Sequence, residues 1–208
     1  EKDLETNVEK ELLIFPRYHQ LVAVNKLKQT INKEGIGKRY LIQHTTGSGK
    51  SLTIGWLAYQ LRTLFQTKES TERIFDTVVI LTDRKVLDRQ LRNTVVQLEQ
   101  TTGVVNPVTE DSQQLKEFLE TGKSIIISTV QKFPFISSQI SRLTGKSFAV
   151  IIDEVHSSQS GRLSAHIVRS LSDRELDEYQ EGEDDEDLTG IDEYILSQMA
   201  QLRDTQHI

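Results

Sequence analysis

Three short apolar runs alternate with stretches whose apolar residues recur at helical spacing. The runs are Thr77-Val78-Val79-Ile80-Leu81, Ser124 to Ser128 and Phe148 to Ile152. A strand apolar on both sides must be covered on both sides. The alternation therefore predicts an α/β fold: a parallel sheet with helices on both faces. Tyr40-Leu41-Ile42 reads as a further short buried strand. In such sheets ligands bind beyond the carboxyl ends of the strands, so chemistry is expected just after Ile42 and Ile152.

The helices follow from the same periodicity. Residues 17–33 carry Tyr18, Leu21, Val22, Val24, Leu27 and Ile31, and Gly35 and Gly37 end that helix. A second helix opens at Lys50 or Ser51 with the stripe Ile54, Leu57, Ala58, Leu61, Leu64, Phe65, and residues 66–75 form a loop. A third has Val86, Leu87, Leu91, Val95 and Leu98 on one face and closes at Thr102-Gly103. A short helix near 111–120 presents Leu115, Phe118 and Leu119, and a helical piece follows over 130–140, limited by Pro134.

The domain reading is a lead-in over 1–16, the α/β domain over 17–172, an acidic mobile loop over 173–190 and a partial helix over 191–208. The acidic segment makes the net charge of −6 misleading. Asp173 to Glu193 holds twelve acidic residues against Arg174, which leaves the rest of the 208-residue chain at +5. A mildly basic body suits a polyanionic ligand, and it also suits an ordinary solvated surface. Cysteine is absent, which excludes a disulfide framework and thiolate metal sites. The apolar runs are too short to span a membrane and the N-terminus has no apolar signal core, so a cytoplasmic setting is expected.

His44-Thr45-Thr46-Gly47-Ser48-Gly49-Lys50-Ser51 lies between an expected strand and an expected helix, the context a phosphate-binding loop requires. Its glycines let backbone N–H groups close on phosphate oxygens, and the helix N-terminus adds its positive end. Thr45, Thr46, Gly47, Ser48, Gly49, Lys50 and Ser51 are thus expected to bind ATP. Lys50 would meet the β- and γ-phosphates, and the Ser51 hydroxyl would ligate Mg²⁺. His44 stands where such loops usually have Gly, as a packed or capping residue.

Asp153 and Glu154 follow an apolar strand. Asp153 would hold Mg²⁺ opposite Ser51, and Glu154 would orient and deprotonate the attacking water. His156, two residues on, has two readings: a catalytic residue that links the nucleotide to something else, or a hydrogen-bonded structural residue.

The order of these motifs resembles superfamily 2 helicases and translocases, and most closely the motor subunit of type I restriction-modification enzymes. Arg17-Tyr18-His19-Gln20 looks like that family's adenine-recognising element, so Arg17 and Gln20 are implied to meet the base. The phosphate loop is similar to the family's motif I, His44 included. Asp83 to Leu91, Ser128 to Phe133 and Asp153 to Gly161 resemble three later motifs; Ser157 and Ser160 stand where relatives carry Arg and Tyr.

The resemblance implies a RecA-like P-loop NTPase domain, the first of a motor that translocates on double-stranded DNA. It also implies partners, the methyltransferase and specificity subunits, and no membrane. Arg84, Lys85, Thr129, Gln131 and Lys132 become candidates for contact with the nucleic-acid backbone, with exposed polar loops as the alternative. No Glu-x-Lys nuclease core occurs in these 208 residues, and no second motor domain is recognisable, so the chain is expected to be one domain of a larger enzyme with weak turnover alone. Two other functions stay open: a helicase of the same superfamily, and a non-catalytic, nucleotide-gated interaction module.

Overall fold

The structure, a computed structural model, describes residues 14–67, 69–82, 85–99, 101–133 and 145–153. The elements run α1 (Tyr18–Glu34), α2 (Lys50–Arg62), β1 (Thr77–Thr82), α3 (Lys85–Gln97), β2 (Val105–Pro107), α4 (Ser112–Glu120), β3 (Ile125–Thr129), a 3₁₀ turn (Val130–Lys132) and β4 (Phe148–Ile152). The acidic segment 173–190, the expected helix over 191–208 and most of the lead-in lie outside the described residues, as does the part of the 130–140 piece beyond Phe133.

The four strands form one parallel sheet in the order β2-β3-β1-β4. β1 is central and wholly buried, and β3 beside it is equally buried. Successive side chains of a strand point to opposite faces, which divides the apolar residues into two cores. Val78 and Ile80 join Ile125 and Ile127 in one core, under α1, α2 and α3. Val79, Leu81 and Ile126 join Leu115, Leu119, Val130 and Phe133 in the other, under α4. This is the α/β fold the runs predict, with helices on both faces.

Local signals account for the helix that closes the second core. Leu115 and Leu119 are four residues apart and fully buried, each contributing about 1.5–3 kcal/mol by leaving water. The Asp111 carboxylate caps α4 by accepting from the N–H groups of Gln113 and Gln114, an interaction of about 1 kcal/mol. The Lys146 ammonium donates to the carbonyls of Leu119 and Glu120 at its other end.

Three expectations need correction. Tyr40-Leu41-Ile42 forms no strand, and Leu41 is 85% exposed. A strand exists by its ladder, and this run pairs with none of the described strands; only Ile42 packs against the core. In α1 the buried positions are Gln20, Val24 and Ile31, while Tyr18, Leu21 and Val22 are exposed. The helix turns its Gln20 side inward because that side chain has partners in the phosphate loop. Phe65, counted in the α2 stripe, is likewise exposed. β2 was not foreseen: Val105-Asn106-Pro107 has turn composition, but Pro is tolerated on an edge strand, and β2 is an edge.

Candidate nucleotide-binding site

The carboxyl ends of the strands carry a buried polar rim. Thr82 and Thr129 are register partners at the tips of β1 and β3, and Asp153 extends β4 by donating its N–H to the Leu81 carbonyl at 2.9 Å. All three are buried. Burying polar groups costs free energy unless they are hydrogen-bonded or paired.

The phosphate loop meets this rim at Asp153. Gly47 and Gly49 both have positive φ, 75° and 85°, and Gly49 serves as the left-handed N-cap of α2. A residue with a Cβ would be strained there, which is why the motif requires glycine. Lys50 and Ser51 then open α2. The Lys50 ammonium lies 2.9 Å from Oδ1 of Asp153. That oxygen is buried and accepts no hydrogen bond of good geometry among the described residues, so the contact is mainly Coulombic. A hard, buried carboxylate oxygen without a hydrogen-bond partner is a donor suited to a divalent cation.

The loop is held from behind by α1. The Gln20 side chain accepts from the Arg17 N–H at 2.7 Å, closing the first turn of α1. Its amide protons go to the carbonyls of Ser48 at 3.1 Å and Gly49 at 2.9 Å. Nε2 of His19 lies 3.0 Å from the same Ser48 carbonyl; an oxygen of this kind only accepts, so His19 carries its proton on Nε2. His44 Nδ1 sits 3.2 Å from the Ser48 hydroxyl, and its Nε2 is buried without a hydrogen-bond partner among the described residues. The His19 and His44 rings meet edge to face, centroids 6.0 Å apart. Burial first, then the neighbouring His19 and Lys50, holds the His44 pKa below its ordinary value.

The structure therefore brings together Gln20, Ser48, Gly49, Lys50 and Asp153. Thr45, Thr46 and Gly47 form the exposed lip of the loop, with Ser48 N–H donating to the Thr45 carbonyl. Arg17 stands exposed at the start of α1. Glu154, His156 and Arg84 lie outside the described residues, and Lys85 is the first residue of α3. Thr129 is buried at the end of β3, and Gln131 is exposed just beyond it. The Lys132 ammonium donates to the carbonyls of Val108 at 2.9 Å and Glu110 at 2.6 Å, tying the 3₁₀ turn to the loop after β2. Sequence reasoning assigned no role to His19 and only a packing or capping role to His44. The His19 contact spans 29 residues and leaves no periodicity, whereas His44 meets Ser48 four residues on, inside the motif itself. Among the described residues, no helix is long and apolar enough to cross a membrane.

Comparison with known proteins agrees with this geometry. Residues 19–176 match the SWI2/SNF2 ATPase family. Over 167 residues the chain is 30% identical to a Mycoplasma pneumoniae protein described as the C-terminal part of the type I restriction enzyme MpnIIP endonuclease subunit, covering 73% of this chain and 76% of that one. It is 30% identical over 165 residues to the type I restriction enzyme HindI endonuclease subunit of Haemophilus influenzae, covering 74% of this chain and 15% of that one. It is 27% identical over 154 residues to the SauCOLORF180P endonuclease subunit of Staphylococcus aureus, covering 72% of this chain and again 15% of the relative. The chain thus spans about 15% of the length of these two longer relatives. The chain belongs to the SWI2/SNF2 ATPase family, as a relative of type I restriction enzyme endonuclease subunits.

Proposed function

We propose that this chain is the ATP-hydrolysing motor domain of a type I restriction enzyme endonuclease subunit, driving translocation along double-stranded DNA. The observation that carries the reading is the approach of Lys50 to Asp153, 2.9 Å across the gap between loop and strand tip. It leaves a cation and a buried carboxylate where a nucleotide's phosphates and their metal would sit.

In this reading Thr45 to Ser51 wrap the phosphates of ATP, and Lys50 leaves Asp153 to meet their charge. Ser51 and Asp153 would hold Mg²⁺, which when bound neutralises charge on the phosphate oxygens. Glu154 takes the proton of the attacking water, and His156 relays the state of the nucleotide to the rest of the motor. Arg17 bears on the base as an exposed guanidinium, and Gln20 through the loop it holds. Gln131, Arg84 and Lys85 contact the DNA backbone, with Lys132 supporting the turn that presents Gln131 and Thr129, buried at the tip of β3, ending the strand that leads into it. The methyltransferase and specificity subunits are the partners of such a motor.

Two measurements test this. Mg-ATP should raise the unfolding temperature of the chain and leave that of the Lys50→Ala variant unchanged. An equal shift in both would remove the phosphate loop from the reading. In the assembled enzyme, Glu154→Gln should bind ATP normally and lose DNA-stimulated hydrolysis. A Glu154→Gln enzyme that hydrolyses ATP as before would instead support the nucleotide-gated module.

A further inference from the structure

The Ser48–Gly49 peptide is held by two side chains of another element. Ser48's carbonyl accepts from Nε2 of both His19 and Gln20, so it faces α1. A trans peptide is planar, and its N–H points opposite its C=O. The Gly49 N–H is thereby aimed away from α1, to the open side of the loop. The next peptide is set in the same way. Gly49's carbonyl accepts from Gln20 Nε2 at 2.9 Å, from the Thr53 N–H at 3.1 Å and from the Thr53 hydroxyl at 3.3 Å. With that carbonyl turned back along α2, the Lys50 N–H points out of the helix N-terminus. His44 adds a hold on the Ser48 hydroxyl.

We propose that His19 and Gln20 are positioning residues for the phosphate loop: they fix its Ser48–Gly49 turn so that the Gly49 and Lys50 N–H groups are aimed at phosphate before any ligand arrives. Donors set in advance need no reorganisation when charge arrives, and this is where their advantage lies. The reading of His44 to Ser51 as a phosphate-binding loop underlies the proposal. Two further observations favour positioning over direct recognition of a base. Gln20 is 1% exposed and both of its amide protons are taken by the loop carbonyls. A Cβ on Gly49 would come within 2.5 Å of Gln20 Nε2, so the loop backbone and this amide are fitted to each other without slack.

The two roles separate by choice of probe. Calorimetric titration of the full chain with Mg-ADP, Mg-GDP and inorganic pyrophosphate compares ligands that share phosphates and differ in the base. His19 is exposed, so His19→Ala should keep the wild-type unfolding temperature. It should weaken all three probes by a similar factor, about tenfold for one lost ordering hydrogen bond. His19→Gln, whose amide can reach the same carbonyl, should restore most of the loss. Gln20→Ala should act on all three probes at least as strongly. A loss confined to Mg-ADP in the Gln20 variant, or unchanged pyrophosphate affinity in His19→Ala, would overturn the proposal and leave the phosphate loop intact. A wild-type chain that binds none of the three probes would remove the phosphate-loop reading itself, and the proposal with it.

Discussion

Replacing Lys50 with Met and Asp153 with Asn, singly and together, measures how much of the free protein's stability rests on charges meant for a ligand. The two charges are 2.9 Å apart, and the Asp153 side chain is 7% exposed against 35% for Lys50. At an effective dielectric constant of about 20, Coulomb's law puts their attraction at about 6 kcal/mol. Lys50 is partly solvated, and ordering its long side chain costs entropy, so the net coupling should be much smaller, about 1–3 kcal/mol. Lys50→Met should be the more harmful single change, because it removes the cation beside a buried carboxylate oxygen, Oδ1 of Asp153, that has no hydrogen-bond partner among the described residues. Asp153→Asn leaves a cation that water can reach.

Urea unfolding of the four proteins at neutral pH gives the coupling directly. The double variant should be more stable than the sum of the single losses predicts. Magnesium chloride should recover part of the stability of Lys50→Met and little of that of Asp153→Asn, because the cation takes the place of the ammonium beside Asp153. Losses that add to within about 0.3 kcal/mol would refute the argument: the 2.9 Å contact would then carry no energy of its own.

Gly49→Ala should cost about 1–2 kcal/mol for a left-handed backbone at φ 85°, and about 1 kcal/mol more for the Gln20 bond its Cβ displaces. A calorimetric melting temperature equal to wild type would contradict both contributions. His44 has a lowered pKa, so the unfolded chain takes up a proton near pH 6.5 that the folded chain resists. The resulting stability is present above about pH 6.5 and is lost as the pH falls toward the folded value. His44→Asn should flatten that part of the stability profile, and urea midpoints at pH 7.5 and pH 5.5 that fall equally in both proteins would count against it. Lys132→Met should lower stability by about 1–2 kcal/mol through its two lost carbonyl contacts, read as a shift of the urea midpoint; an unmoved midpoint would mean these bonds contribute nothing.

Periodicity and glycine placement made the sheet and the loop legible, because both are local. Runs such as Val78 to Leu81 are buried on both sides in any fold that contains them, and Gly47 and Gly49 are needed wherever the chain turns with positive φ. The orientation of α1 was not legible for the opposite reason. Counting apolar residues turned Tyr18, Leu21 and Val22 inward, whereas the helix buries Gln20 and leaves those three in solvent. A polar residue can be the most buried of its helix only when acceptors wait for it, and here they are carbonyls 28 and 29 residues away. Tyr40-Leu41-Ile42 failed as a strand on the same ground, since a ladder needs a partner that composition does not name. The groups that touch the ligand follow a spacing rule set by the ligand. The contacts that His19 and Gln20 make with the loop span 28 and 29 residues, so their holding role is set by three-dimensional proximity and not by periodicity. A phosphate loop is therefore read from its motif, and how well it is prepared for phosphate is read from whatever accepts and donates behind it.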